Sequence, residues 1–108
     1  MSAALQPPSK EVDIDFLVFI ERHASDLLRW DILTFFGNNP EFHGTTEQIA
    51  RQVGRRSQSI RPELGELALL NILEKTTLPT RQMGYRLTHQ PDLRRMVLKL
   101  AGQQLAKE

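Results

Sequence analysis

Apolar residues recur along most of this chain at the three-and-four spacing of helices, interrupted once by alternation. Val12, Phe16, Phe19, Ile20 and His23 form the first stripe and predict a helix over 11–24. Ser25 reads as the cap of a second helix, with Asp26 in its first turn. That helix runs to about Phe36 on Leu28, Ile32, Phe35 and Phe36, and Leu27, Trp30 and Leu33 make it apolar on most of its circumference. A helix of that kind belongs at the centre of its domain. Gly37, Asn38, Asn39 and Pro40 are read as its stop. A short helix is expected over Thr46–Val53, with Ile49, Ala50 and Val53 inward and Thr45 and Gln48 at capping-box spacing. Gly54 ends it in a tight turn.

The next helix falls between about Ser57 and Leu70, with Ile60, Leu64 and Leu67 on one side. Pro62 conflicts with a start at Ser57, because it lacks an N–H and crowds the carbonyl four residues back. A cap at Ser59, with Pro62 in the first turn, resolves the conflict and is the expectation. Ile72–Thr76 and Gly84–Thr88 read as two strands, the second alternating Tyr85 and Leu87 with Arg86 and Thr88. Pro91 then suits the first turn of a last helix, carried to about Leu105 by Leu93, Met96, Val97, Leu100 and Ala101. Residues 1–10 are polar and proline-bearing and are expected to be an unstructured lead.

With 108 residues, 40% of them apolar and 25% charged, the chain suits one globular domain. It has no cysteine, which excludes disulfides, thiol catalysis and cysteine-ligated metals. The longest apolar run is Phe16–Ile20, far short of the ~20 residues that span a bilayer. Without the basic start and apolar run of a signal peptide, a cytoplasmic protein is expected. Net charge is only +1, but it is unevenly spread. Residues 1–47 carry three basic groups against eight acidic ones, and residues 48–108 carry eleven against five. Such asymmetry suits one face for a polyanion.

The chemistry-bearing residues narrow the choice further. Arg51, Arg55, Arg56 and Arg61 fall within eleven residues that contain no acid. Arginine forks match phosphates and guanine edges, and glutamine can pair with adenine. His23, His43 and His89 lack metal-ligand spacing, and each is read as structural. Glu11, Asp13 and Asp15 read as a solvated acidic helix start. Trp30 reads as core, with lining a ligand pocket as the alternative. No P-loop, catalytic triad or carboxylate pair can be assembled, so no enzyme and no cofactor are expected.

The segment from Thr46 through Gly54, the helix carrying Ile60, Leu64 and Leu67, the exit Asn71-Ile72-Leu73-Glu74-Lys75 and the strand Gly84–Thr88 together resemble the winged helix-turn-helix. The likeness covers roughly Asp26 to Thr88. It is most similar to small bacterial regulators of the multiple-antibiotic-resistance and arsenic-repressor kind. Asn71 stands where glycine is more usual in that family and tolerates the same left-handed backbone. The resemblance implies a mainly α fold with a small β-hairpin wing (α+β), with extra N- and C-terminal helices. The single domain would span 11–108, divided into an N-terminal helix (11–24), the winged core (25–89) and a C-terminal helix (90–108).

Function is then expected to be binding of double-stranded DNA to regulate transcription. The expected contacts are Arg51, Arg55, Arg56, Ser57, Gln58, Ser59 and Arg61 at the turn and helix start, with Lys75, Arg81 and Arg86 on the wing. Glu63 and Glu66 follow the arginines closely and weigh against deep groove entry. The alternative is a winged-helix protein–protein interaction module. A homodimer is expected, its seam made by the stripe of Phe16, Phe19 and Ile20 and the stripe of Leu93, Met96, Val97 and Leu100; the alternative is that the two terminal helices pack on each other and complete a monomer.

Overall fold

The computed structural model describes residues 13–106, with side chains to residue 102; the expected 1–10 lead lies outside them. The described residues form α1 (Ile14–His23), α2 (Leu27–Asn38), β1 (His43–Gly44), α3 (Thr46–Val53), α4 (Ser57–Leu69), β2 (Leu73–Thr77), β3 (Met83–Leu87) and α5 (Pro91–Ala106). The order of helices and hairpin is the one the sequence predicts. Several boundaries differ for identifiable reasons.

Asp13 caps α1 by accepting from Phe16 N at 3.1 Å. Asp26, not Ser25, caps α2, accepting from Arg29 N at 2.8 Å. A cap oxygen reaches the amide three residues on, and in α2 that amide lies three beyond Asp26. Nor does Gly37 stop α2, which continues to Asn38 with Asn39 as its C-cap. The Asn39 side chain donates to Phe35 O at 2.9 Å. Gly37 is instead where α5 crosses: a Cβ there would lie 2.6 Å from Ala101 Cβ and 2.6 Å from Val97 O.

Ile32, Leu33 and Phe36 of α2 are fully buried, as are Ile49, Ile60, Leu64, Leu67, Val97 and Leu100 around them. Each such side chain contributes about 1.5–3 kcal/mol by leaving water, and α2 sits at the centre of the cluster as its composition predicts. The sheet is antiparallel in the order β1-β3-β2. β1 pairs His43 with Arg86 and Gly44 with Tyr85, and was not foreseen because two residues show no alternation. The hairpin strands are displaced by one residue from expectation. Asn71 takes a left-handed φ of 65°, leaving Ile72 fully buried in the approach to β2.

Both terminal helices close on their own chain. Phe16 and Phe19 are buried, and so are Met96, Val97 and Leu100. Lys99 Nζ donates to Asp13 Oδ2 at 2.7 Å and sits 4.8 Å from the centre of the Phe16 ring. The two stripes expected to form a dimer seam are therefore intramolecular core. Among the described residues, the large apolar side chains left outside on this pair are Ile14, Leu17 and Val18 of α1 and Leu98 of α5.

Candidate nucleic-acid interface

Thr45 and Gln48 form a reciprocal cap at the start of α3: Gln48 N donates to Thr45 Oγ1 at 3.2 Å and Thr45 N to Gln48 Oε1 at 2.8 Å. This fixes α3 where it enters the helix pair. Its C-terminal end closes on Gly54 in the left-handed region, φ 72° and ψ 35°. Arg55 N donates to Ala50 O at 3.0 Å, so the turn folds back on the buried Ala50. α4 then leaves with its core side pinned by Ile60, Leu64 and Leu67.

The start of α4 departs from expectation. Arg56, not Ser59, is the N-cap, and its side chain makes no capping bond. Pro62 accordingly sits inside the helix. Ile60 decides this: its side chain is fully buried and its N–H donates to Arg56 O at 3.2 Å, which winds the chain before Pro62 is reached. Pro62 is exposed, so water can satisfy the carbonyl that its missing N–H leaves. Ser59 N donates to Arg56 O at 3.0 Å, and the amides of Ser57 and Gln58 have no acceptor among the described residues, which leaves them open to an anion beside Arg56.

Among the expected contact residues, ion pairing divides the cations. Arg55 Nη2 donates to Asp31 Oδ2 at 2.5 Å, with both side chains about a third exposed. Arg61 Nη2 donates to Glu47 Oε2 at 3.0 Å, and both side chains are well exposed. The Glu47 carboxyl lies below its usual range, first because of its own backbone amide and then because of Arg61. Arg86 Nε donates to Glu74 Oε1 at 2.9 Å. Burial raises the Glu74 carboxyl, but hydrogen bonds from His89 N and from Arg86 overcome it and hold the group below the usual range. Arg51, Arg56, Lys75 and Arg81 make no ion pair among the described residues. Arg81 stands exposed at the hairpin tip with φ 73°, its N–H donating to Leu78 O at 2.8 Å. Ser57 is half-buried, and Gln58 and Ser59 are exposed.

The hairpin register separates two of the wing cations. Lys75 pairs with Tyr85 and Glu74 with Arg86. Neighbouring residues of a strand face opposite ways, so Lys75 and Arg86 stand on opposite faces of the hairpin.

Arg29 was not singled out by the sequence, yet it disposes of both acids that weigh against groove entry. From α2 its Nε donates to Glu63 at 2.7 Å and its Nη2 donates to Glu66. Burial lowers its pKa, but the two carboxylates more than offset this and leave it raised. Glu63 and Glu66 are thus drawn toward α2 and neutralised there. The outer side of α4 is left with Gln58, Pro62, Gly65 and Leu69, spaced on the face opposite Ile60, Leu64 and Leu67. Among the described residues no group of His, Asp and Glu could hold a metal ion, and no helix is long and apolar enough to cross a membrane.

No protein-family model matches the chain, and neither does any curated protein sequence. Solved structures do. The chain is similar to the AntR antimony-specific transcriptional repressor with a TM-score of 0.63 and 20% identity, covering 99% of this chain and 96% of that one. It is similar to NadR, solved in complex with 4-hydroxyphenylacetate, with a TM-score of 0.61 and 13% identity, over 95% and 83%. A possible transcriptional regulator from Methanosarcina mazei aligns over 95% and 88%, with a TM-score of 0.57 and 12% identity. The fold is a winged helix-turn-helix. Within it α3 and α4 are the helix pair, Gly54 is the turn, and β2–β3 is the wing. The winged helix-turn-helix carries α1 and α5 at its two ends.

Proposed function

We propose that this protein binds double-stranded DNA and regulates transcription. One observation carries the reading: Arg51 and Arg56 on the helix pair, and Lys75 and Arg81 on the wing, keep their charges unpaired among the described residues, while the acids beside them on α4 are consumed by Arg29. The uncapped start of α4, with Gln58 and Ser59, meets base edges and phosphates of the major groove. Arg55, Arg61 and Arg86 join these contacts by exchanging a carboxylate for a phosphate; for the exposed Arg61–Glu47 pair the exchange costs under about 1 kcal/mol. The protein acts in the cytoplasm as a homodimer, with the outer face of α1 as its seam, and it catalyses no reaction.

The test is binding of a fluorescent generic duplex as salt is raised. Each phosphate neutralised contributes about −0.9 to the log–log slope, so roughly −3 to −5 per protomer is expected. Arg51→Ala with Arg56→Ala should weaken binding to every sequence and reduce the slope by about 2. Absence of binding at ~50 mM salt, where counterion release is strongest, would reject DNA as the partner. A second reading then takes over, a protein–protein interaction module. Leu69 favours it: this apolar side chain on the outer side of α4 is 83% exposed.

A further inference from the structure

A cleft of about 310 Å³ opens between α2 and the C-terminal end of α3. Trp30 and Val53 give it apolar walls, Thr34, Asn38 and Gln52 give hydrogen-bonding groups, and Asp31 is the one charged residue of its lining. Its volume is that of a small ligand site, suited to a single-ring molecule. One polar atom is open to a guest, on Asp31. Thr34 Oγ1, in the wall beside it, is buried without a hydrogen-bond partner among the described residues. Asp31 uses Oδ2 for Arg55, and its Oδ1 has no partner among the described residues.

We propose that this cleft binds a small aromatic cation, with its ring against Trp30 and its amidinium or ammonium group on Asp31. A lone carboxylate in a partly enclosed, otherwise neutral lining selects a cation over an anion, and an aromatic wall adds attraction for a delocalised charge. Asp31 belongs at once to this cleft and to the helix turn, because Arg55 follows Gly54 directly. A bound cation replaces the Arg55 guanidinium on Asp31 and returns that charge to the turn. The site stands without the DNA-binding function proposed above; its effect on DNA affinity rests on that function.

Benzamidine is the probe, and Trp30, the only tryptophan of the chain, reports on it by fluorescence. A saturable change at millimolar benzamidine is expected, with none from benzoate. Asp31→Asn should weaken benzamidine roughly tenfold or more, whereas Arg55→Gln should strengthen it, since the internal competitor is gone. A general loss of structure cannot move two variants in opposite directions. The site is overturned if benzamidine gives no saturable change, if benzoate binds equally, or if Asp31→Asn binds as the parent does. For the coupled step, benzamidine should tighten duplex binding by the parent and leave Arg55→Gln unaffected; equal effects on both would overturn it. If the duplex does not bind at all, the DNA function fails by itself, and fluorescence still decides the site.

Discussion

Gly37→Ala sets two effects of known size against each other. Alanine is favoured over glycine inside a helix by about 1 kcal/mol, so propensity alone makes the substitution stabilising. Against this, the new methyl would stand 2.6 Å from Ala101 Cβ and from Val97 O. Carbon atoms pack best at about 3.5–4.0 Å, so α2 and α5 must separate by about an ångström. Neither opposing atom can rotate away, because one is a Cβ and the other a backbone carbonyl oxygen. Separation loosens Leu33 and Phe36 against Val97 and Leu100, and overpacking of this kind costs about 1–3 kcal/mol. Since a backbone must move, the upper half of that range applies, and a net loss of about 1–2 kcal/mol is expected. For a domain of this size each kcal/mol shifts the Tm by roughly 4–8 °C. The matched control is Gly65→Ala on α4, where a Cβ meets nothing within 4 Å. There propensity acts alone and the Tm should rise by a few degrees. Thermal unfolding by circular dichroism measures all three proteins. A Gly37→Ala protein at least as stable as the parent would refute the close crossing of α2 and α5.

Arg29→Met keeps the stem but leaves Glu63 and Glu66 without their cation, and should cost about 1–3 kcal/mol in urea unfolding; an unchanged midpoint would show that the clamp does not hold α4. Burial first, then the charges of Arg29 and Arg22, keep His23 below its ordinary value near 6.5. The unfolded chain therefore takes up the proton first, so the stability from neutral His23 is present above about pH 6.5 and falls away as the pH drops through it. His23→Leu should flatten the decline in Tm between pH 7.5 and 5.5, and an identical decline would exclude His23 as its source. Leu100→Glu should unfold the chain, since Leu100 is fully buried. Leu17→Glu, at a half-exposed position on the outer face of α1, should leave a folded protein and split the proposed dimer in light scattering; a parent of monomer mass at every concentration would end that proposal.

Signals whose partners lie within a turn were legible. The Thr45–Gln48 cap, the left-handed Gly54 and Asn71, and Pro91 at the start of α5 each act over four residues or fewer. Reading failed where a distant element overrides the local rule. Gly37 resembles a helix stop until α5 is laid across it, and Ile60 starts α4 ahead of Pro62 because the core holds it. The candidate site was legible in its cations but not in their state. Asp31 lies 24 residues before Arg55, and Glu63 lies 34 after Arg29, so no linear pattern joins them. Which arginines are spoken for is a property of the folded chain.

The wing, finally, is a two-sided plate whose sides differ electrically. A polyanion arriving on the Lys75–Tyr85 side meets a charge with nothing to give up. On the other side it meets the Glu74–Arg86 pair, held also by His89, which must open before Arg86 can respond. This polarity belongs to register and not to composition. Exchanging Glu74 and Lys75 would leave every count of residues and charges unchanged. It would set a lysine at position 74 beside Arg86, turn the carboxylate to the Tyr85 side, and so invert the side on which the plate attracts.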